Sequence, residues 1–335
     1  MTMNVAINGF GRMGRNILRR VIDRVEDDIQ VVAINDLTAP AVLANLLRYD
    51  STYGPWGSEV GSGDTWISVD GRVIQVSAEP DPELLPWRAL GVDLVIEASG
   101  RFRTRDAAAA HLRAGASKVV VTAPGKQVDA TIVLGVNEDT YRPDAHHVVS
   151  NASCTTNCLA PMLAVLDAAF GVRRGLMTTI HSYTNDQSLL DSPHKDARRA
   201  RSAAVNIIPT STGAAAAVGE VLPRLRGKLD GVAVRVPVED GSLTDLCVEL
   251  DVAVTAAEVN QAFAEAAEGH LKSILRYTED PIVSRDIIGD PASCVFDASL
   301  TRVSDNLVKV FGWYDNEWGY ANRTVELVAL MAGSR

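Results

Sequence analysis

The chain has 335 residues, 47% of them apolar, a formal net charge of -10 at pH 7 and four cysteines. That length exceeds what one typical hydrophobic core serves and suggests two domains, while the acidic balance argues against bulk nucleic-acid affinity. Cys154, Cys158, Cys247 and Cys294 are too scattered for a disulfide framework, and Cys154 with Cys158 has no second close pair to complete a zinc site, so no metal is expected. With no signal-peptide pattern and no apolar window near the roughly 18 residues of a membrane span, the expectation is a soluble, cytoplasmic protein that binds neither nucleic acid nor membrane.

Residues 4–8 read as a buried strand, Gly9 to Gly14 as a tight turn holding Phe10, Gly11, Arg12 and Met13, and residues 15–27 as a helix with an apolar face through Ile17, Leu18, Val21, Ile22 and Val25. Residues 29–34 form a β-branched apolar run typical of a parallel strand covered on both faces. It ends in Asn35 and Asp36, and Asp36 stands 22 residues after Gly14, where a second-strand carboxylate takes adenosine ribose hydroxyls. The glycines alone would mean only a tight turn; strand, turn, helix and acidic strand end together indicate a dinucleotide site.

Residues 53–71, rich in Gly, Ser and Trp, read as a surface hairpin or an interface and not as a recognition module. Residues 92–98 form another buried strand, with Ser99 at the carboxyl end where ligands approach an open parallel sheet. A helix over 105–114 and strands over 118–122, 132–135 and 147–149 follow. This first half, residues 1–150, is predicted to be a Rossmann-type α/β domain. Its boundary rests on a change of pattern, not on a linker.

Beyond it, strands over 175–183, 231–236, 242–250 and 307–313 mix polar with apolar residues, and helices fall at 214–222 and 257–267. The expectation for residues 151–316 is an α+β catalytic domain with a mixed, largely antiparallel sheet. Residues 317–331 hold a helix with an apolar side, so 317–335 is assigned to a C-terminal helix returning to the first domain.

Polar residues precede a helical run at 159–170, which places Cys154 in the first turn, where free N–H groups and the helix dipole favour a thiolate. Cys158 falls one turn deeper and should be packed; either cysteine alone could be inert. His181 ends an apolar run and opens a loop, where an imidazole can deprotonate a thiol and later exchange a proton with a substrate oxygen. Sequence spacing does not show that the two meet.

Six blocks carry a closer likeness: residues 7–12, 153–158, 181–187, 208–213, 235–237 and 313–320. They resemble glyceraldehyde-3-phosphate dehydrogenase, in order and along essentially the whole chain. The resemblance implies oxidation of D-glyceraldehyde 3-phosphate with inorganic phosphate and NAD, through a thioester on Cys154 with His181 as acid and base, in a homotetramer. It assigns Thr184 and Arg235, with Arg199 nearby, to the substrate phosphate, and Ser153, Thr212 and Gly213 to the attacking phosphate. Read from the residues alone, Arg199 would be one member of a solvated basic cluster at 198–201. Gly9, Arg12 and Met13 are assigned to the pyrophosphate, Asp36 to the ribose, Ser99 to the nicotinamide side and Asn316 to the carboxamide. Two departures stand out: Ala216 where the family usually has lysine, and Ser192 before Pro193 where many members have an apolar residue. The alternatives are an erythrose-4-phosphate dehydrogenase and the triose reaction with NADP preferred; Asp36 and Leu37 favour NAD.

Overall fold

The computed structural model describes residues 2–24 and 28–334; Val25 and the expected helix end at Asp27 lie outside the described residues. The chain divides into two compact units, one of residues 2–132, 139–152 and 321–334, the other of 133–138 and 153–320.

The first unit contains β1 (Met3–Asn8), α1 (Arg12–Ile22), β2 (Ile29–Asn35), α2 (Pro40–Arg48), β3 (Tyr49–Asp50), β4 (Gly54–Pro55), β5 (Val60–Ser62), β6 (Trp66–Val69), β7 (Arg72–Ser77), β8 (Leu94–Glu97), α3 (Arg105–Ala108), α4 (Ala110–Arg113), β9 (Lys118–Val121), β10 (Ala130–Thr131) and β11 (Val148–Ser150). Its main sheet runs β10-β11-β9-β8-β1-β2-β7-β6-β5, parallel from β10 to β7 and antiparallel at the β7-β6-β5 edge. Every residue of β8 is buried, as a strand covered on both faces requires. Trp87 packs with Ala6, Ala33 and Val95 in one apolar cluster; Val119, Val121 and Val148 pack with Ala108 and Ala109 in another. Parallel register then brings Asn8 opposite both Asn35 and Glu97, so polar residues converge at the carboxyl edge of the sheet.

The second unit contains α5 (Cys154–Phe170), β12 (Val172–Ser182), β13 (Ile208–Ser211), α6 (Ala214–Val221), β14 (Leu229–Val236), β15 (Ser242–Leu250), α7 (Ala256–Glu268), β16 (Leu275–Thr278), β17 (Cys294–Asp297), β18 (Arg302–Ser304), β19 (Leu307–Tyr314) and the start of α8 (Trp318–Gly333). The sheet order is β13-β14-β12-β15-β19-β17-β16, with β18 on β19. Only β12 with β14 and β16 with β17 are parallel, so the sheet is mixed and largely antiparallel, as expected. Strand β15 alternates strictly between buried and half-buried residues, the mark of a strand with one face on the core. That core is helix α5, whose Leu159, Met162, Leu163 and Leu166 are fully buried. From Ala321 onward α8 groups with the first unit, where Arg20 donates to Asn322 and Thr324 bonds Asn151 at 3.2 Å.

Three expectations need correction. Helix α1 begins at Arg12, not Arg15, because Gly11 already takes the N-cap position. Residues 133–136 form a turn, closed by a Val136 N–H bond to the Val133 carbonyl, and the adjoining strand is β10; the Asn137 side chain takes the Val133 N–H that a ladder would need. The helix over 105–114 is two short ones, since ψ of -11° at Ala109 opens the ladder between α3 and α4.

Gly9 has φ of +92°, and a Cβ there would lie 2.5 Å from Ser99 Cα and N. Gly57 faces open space. Gly9→Ala should therefore lose about 1–3 kcal/mol through strain and overpacking, while Gly57→Ala stays within about 0.5 kcal/mol. Denaturant melts of the two variants check this, and equal midpoints would remove the close approach at Gly9 as a constraint.

Candidate active site

Ser153 caps α5, its Oγ accepting from the Thr156 N–H at 3.1 Å, and so fixes where the helix starts. The preceding Ala152 sits at φ of +55°, a left-handed conformation a non-glycine residue adopts at a cost of about 1–2 kcal/mol. That bend delivers Cys154 as the first residue of a 17-residue helix, among its unpaired N–H groups. Cys154 is half-buried; Cys158 is fully buried, with its Sγ 3.5 Å from the Gly312 carbonyl and 4.0 Å from Met162 Sδ.

His181 arrives from the end of β12. Its Nε2 lies 3.5 Å from Cys154 Sγ, and its Nδ1 is 2.8 Å from the Ser182 carbonyl. Arg235 stands opposite His181 in the parallel β12–β14 register, and its Nη1 donates to the same Ser182 carbonyl at 3.0 Å and to Thr184 Oγ1 at 3.2 Å. His181 Nδ1 also lies 3.2 Å from Arg235 Nη1, but the Ser182 carbonyl is closer and can only accept, so the shorter contact puts a hydrogen on Nδ1 and leaves the Nε2 lone pair facing the thiol.

Burial pushes the Cys154 thiol up to about 11, against the pull of the Arg235 charge and of the Thr155 backbone and hydroxyl donors. Burial, and then the Arg235 charge, push His181 down to about 3. Both groups are thus held neutral unless the proton passes from one to the other. Arg235 is itself lowered by burial, and its Nε is buried without a partner among the described residues.

Sequence reasoning missed the residues that hold this pair in place. The Tyr314 hydroxyl lies 2.9 Å from Thr155 Oγ1 and 2.7 Å from Thr179 Oγ1, and its ring meets His181 edge-on. Asn316 Oδ1 accepts from Ser182 Oγ at 3.0 Å and Ser242 Oγ at 2.6 Å, which turns its amide nitrogen the other way. Arg199 is tied to Asp186, to Thr210 Oγ1 at 3.0 Å and to the Ser211 carbonyl at 3.1 Å. It is an organised residue and not a solvated member of its basic cluster. Thr212 Oγ1 accepts from the Ala214 N–H at 3.2 Å and Gly213 caps α6, so Ser153 and the Thr212–Gly213 pair each stand at a helix N-terminus. Such ends suit anions. Proximity in space signals these partners; spacing along the chain does not.

In the first unit, a cavity of about 290 Å³ is lined by Asn8, Gly9, Gly11, Asp36, Leu37 and Ser99 among others. Asp36 Oδ2 accepts from the Phe10 N–H at 2.8 Å, which draws the glycine turn to the end of β2. Phe10 contributes that amide only, its ring being fully buried. Arg12 pairs with Asp50 at 3.0 Å, and Met13 is half-buried on α1. Neither these two nor Asn316 lines the cavity. The donor set fits a dinucleotide: α1 has no side-chain cap and no acid in its first turn, a Cβ at Gly11 would meet nothing within 4 Å, and a carboxylate ends β2. Among the described residues, no group of three or more His, Cys, Asp or Glu is placed to hold a metal ion.

Comparison with known proteins agrees with this chemistry. Residues 3–105 match the family model for the glyceraldehyde 3-phosphate dehydrogenase NAD binding domain, and residues 153–316 match that for the C-terminal domain. A glyceraldehyde-3-phosphate dehydrogenase of Streptomyces coelicolor is 58% identical over 333 residues, 99% of each chain. One from Geobacillus stearothermophilus is 56% identical over 333 residues, again 99% of each, and one from Mycobacterium avium is 53% identical over 339 residues, 100% of each. The chain belongs to the glyceraldehyde-3-phosphate dehydrogenase family.

Proposed function

We propose that this protein oxidises D-glyceraldehyde 3-phosphate with NAD and inorganic phosphate to 1,3-bisphosphoglycerate, with Cys154 as nucleophile and His181 as its acid and base. The observation that carries the assignment is the contact of Cys154 Sγ with His181 Nε2 beside Arg235. NAD, when bound, supplies the hydride acceptor; Gly9, Phe10, Gly11, Arg12, Met13, Asp36, Ser99 and Asn316 would hold it. In this reading His181 takes the thiol proton as Sγ adds to the aldehyde carbon and passes it to the new oxygen, which the Cys154 N–H also bonds, so that a hydroxyl forms and Nε2 is free to act again. The same Nε2 removes the hydroxyl proton as the carbon is oxidised, leaving an acyl thioester on Cys154. Phosphate attacks the thioester carbonyl, and the sulfur leaves as thiolate. Thr184 and Arg235, with Arg199 nearby, bind the substrate phosphate; Ser153, Thr212 and Gly213 receive the attacking one.

In this proposal residues 1–150, 151–316 and 317–335 act as cofactor domain, catalytic domain and returning helix. A homotetramer follows from the family and is supported by Leu189, Leu190, Val205 and Ile207, all exposed within one segment. A cytoplasmic setting fits a chain in which, among the described residues, no helix is long and apolar enough to cross a membrane. The deciding assay measures reduced-cofactor formation from glyceraldehyde 3-phosphate and from erythrose 4-phosphate, with NAD and with NADP, each with and without phosphate. Oxidation that ignores phosphate would overturn the reading.

His181 Nε2 faces Cys154 Sγ at 3.5 Å, so in this reading it is the group that takes the thiol proton as the sulfur reacts. His181→Asn should lower iodoacetamide labelling of Cys154 at neutral pH by at least about tenfold and move the labelling profile to higher pH. Superimposable profiles would separate the histidine from the thiol. Cys158, being buried, should stay unlabelled in both proteins.

Arg235→Ala should reduce kcat/KM for glyceraldehyde 3-phosphate far more than for unphosphorylated glyceraldehyde, by about tenfold or more in the ratio, since only the former offers a charge to the guanidinium. Equal losses would take Arg235 out of the phosphate pocket.

A further inference from the structure

Behind the cavity of the first unit runs a chain of hydrogen bonds whose direction is fixed at both far ends. Trp87 Nε1, which can only donate, bonds Nδ1 of the fully buried His111 at 3.0 Å. The imidazole therefore carries its hydrogen on Nε2 and donates it to Glu97 Oε2 at 3.0 Å. At the other end, both backbone groups of Glu79 hold Asn35: its Oδ1 accepts the N–H at 2.9 Å and its Nδ2 donates to the carbonyl at 2.9 Å. That Nδ2 also donates to Asn8 Oδ1 at 2.8 Å, which turns Asn8 Nδ2 toward Glu97 Oε2 at 2.6 Å. Asn8 Nδ2 and His111 Nε2 come within 3.5 Å of each other because both give a hydrogen to that one oxygen. Oε2 must therefore be a bare acceptor.

The other oxygen, Oε1, accepts the Ser99 N–H at 2.8 Å and the Ser99 hydroxyl. Of the four donors on Glu97, that hydroxyl alone could be turned round, and a carboxylate, which only accepts, keeps its hydrogen pointed inward. Ser99 Oγ also accepts the Arg101 N–H at 3.2 Å, so one lone pair is left for a ligand. Ser99 lines the cavity, and its N and Cα stand where a Cβ on Gly9 would come within 2.5 Å, so the glycine turn and the hydroxyl are pressed together. We propose that Glu97 is a positioning residue that makes Ser99 a hydrogen-bond acceptor toward the cofactor. Ser99 then takes a donor from the nicotinamide half, either the carboxamide N–H groups or a ribose hydroxyl. The inference rests on reading Ser99 as a cofactor residue. A site built to accept discriminates against a ligand that brings a second acceptor, because neither group is then paired.

Neutron diffraction from deuterium-exchanged crystals of the full chain with NAD reads these hydrogens directly. Deuterium should lie on His111 Nε2 and not on Nδ1, and on Ser99 Oγ in the direction of Glu97 Oε1. Deuterium on Glu97, or a Ser99 hydroxyl turned into the cavity, would overturn the proposal. Calorimetric Kd values for NAD, for nicotinic acid adenine dinucleotide and for ADP test what the polarity does. Ser99→Ala should weaken NAD by about three- to tenfold and leave ADP, which lacks the nicotinamide half, within about twofold. A loss confined to NAD puts the donor on the carboxamide, and equal losses for the two dinucleotides put it on the ribose. A larger loss for nicotinic acid adenine dinucleotide, whose carboxylate only accepts, would mean that Ser99 donates and would overturn the proposal.

Glu97→Gln tests the positioning step. Its amide nitrogen has one place to go, that of Oε1, since Oε2 faces two donors of fixed sense. There the new N–H group fills the last lone pair of Ser99 Oγ and turns the hydroxyl hydrogen into the cavity. In that background the NAD loss caused by Ser99→Ala should shrink to below about twofold. An undiminished loss would overturn Glu97 as the group that sets the hydroxyl. Should Glu97→Gln fail to fold, the neutron map and the Ser99→Ala affinities decide the proposal by themselves. Wild-type NAD affinity in Ser99→Ala would withdraw Ser99 from the cofactor and the proposal with it. None of these readouts needs turnover, so failure of the catalytic reading would appear separately, as absent reduced-cofactor formation in the wild type.

Discussion

The chemistry of the second unit depends on one carbonyl, that of Ser182, which is shared by His181 Nδ1 at 2.8 Å and Arg235 Nη1 at 3.0 Å. The sharing is possible because β12 and β14 are parallel and in a register that pairs His181 with Arg235. One residue of slip would send either side chain to the other face of the sheet. With the register fixed, the carbonyl sets the imidazole tautomer, the tautomer aims a lone pair at Cys154, and the guanidinium stands near a sulfur that burial alone would keep protonated. The geometry that faces His181 toward Cys154 thus traces back to a backbone pairing that no single side chain reveals.

What the sequence made legible follows from the same physics. Strand β15 falls on the expected residues 242–250 because its alternation is complete, and the α7 and α6 helices lie within one residue of their expected ends. Strands β16, β17 and β18 have no sequence counterpart: β17 is four residues, all buried, and a short apolar run without alternation does not distinguish strand from helix. At the site, the residue types that do chemistry were visible, since a cysteine at a helix start and a histidine at a strand end can be placed from local pattern. Tyr314 and Ser242 were not, because each acts on a residue 159 or 74 positions away, and spacing along a chain carries no signal of such contacts.

The first unit handles the same problem with a buried carboxylate. Glu97 ends β8 at 2% exposure and accepts from Asn8 Nδ2 at 2.6 Å, from the Ser99 N–H at 2.8 Å, from the Ser99 hydroxyl and from His111 Nε2 at 3.0 Å. His111 Nδ1 in turn accepts from Trp87 Nε1 at 3.0 Å, which assigns the ring hydrogen to Nε2. A carboxylate taken out of water is expensive unless its lone pairs are filled, and here they are filled by groups on three different segments. Two of those partners, Asn8 and Ser99, line the cavity.

Glu97, Asp36 and Asp315 share a design: each is an acid at or just beyond the carboxyl end of a strand, and each accepts a backbone N–H from a segment that carries site residues. An alkyl side chain could fill these places, yet it would leave the N–H groups buried and unpaired, which costs more than a well-satisfied carboxylate. A serine could accept one such bond, but a carboxylate accepts several at once and so ties successive residues of a loop together. Asp129, holding the His147 and Val148 N–H groups at 2.8 Å each, extends the pattern away from the cavity.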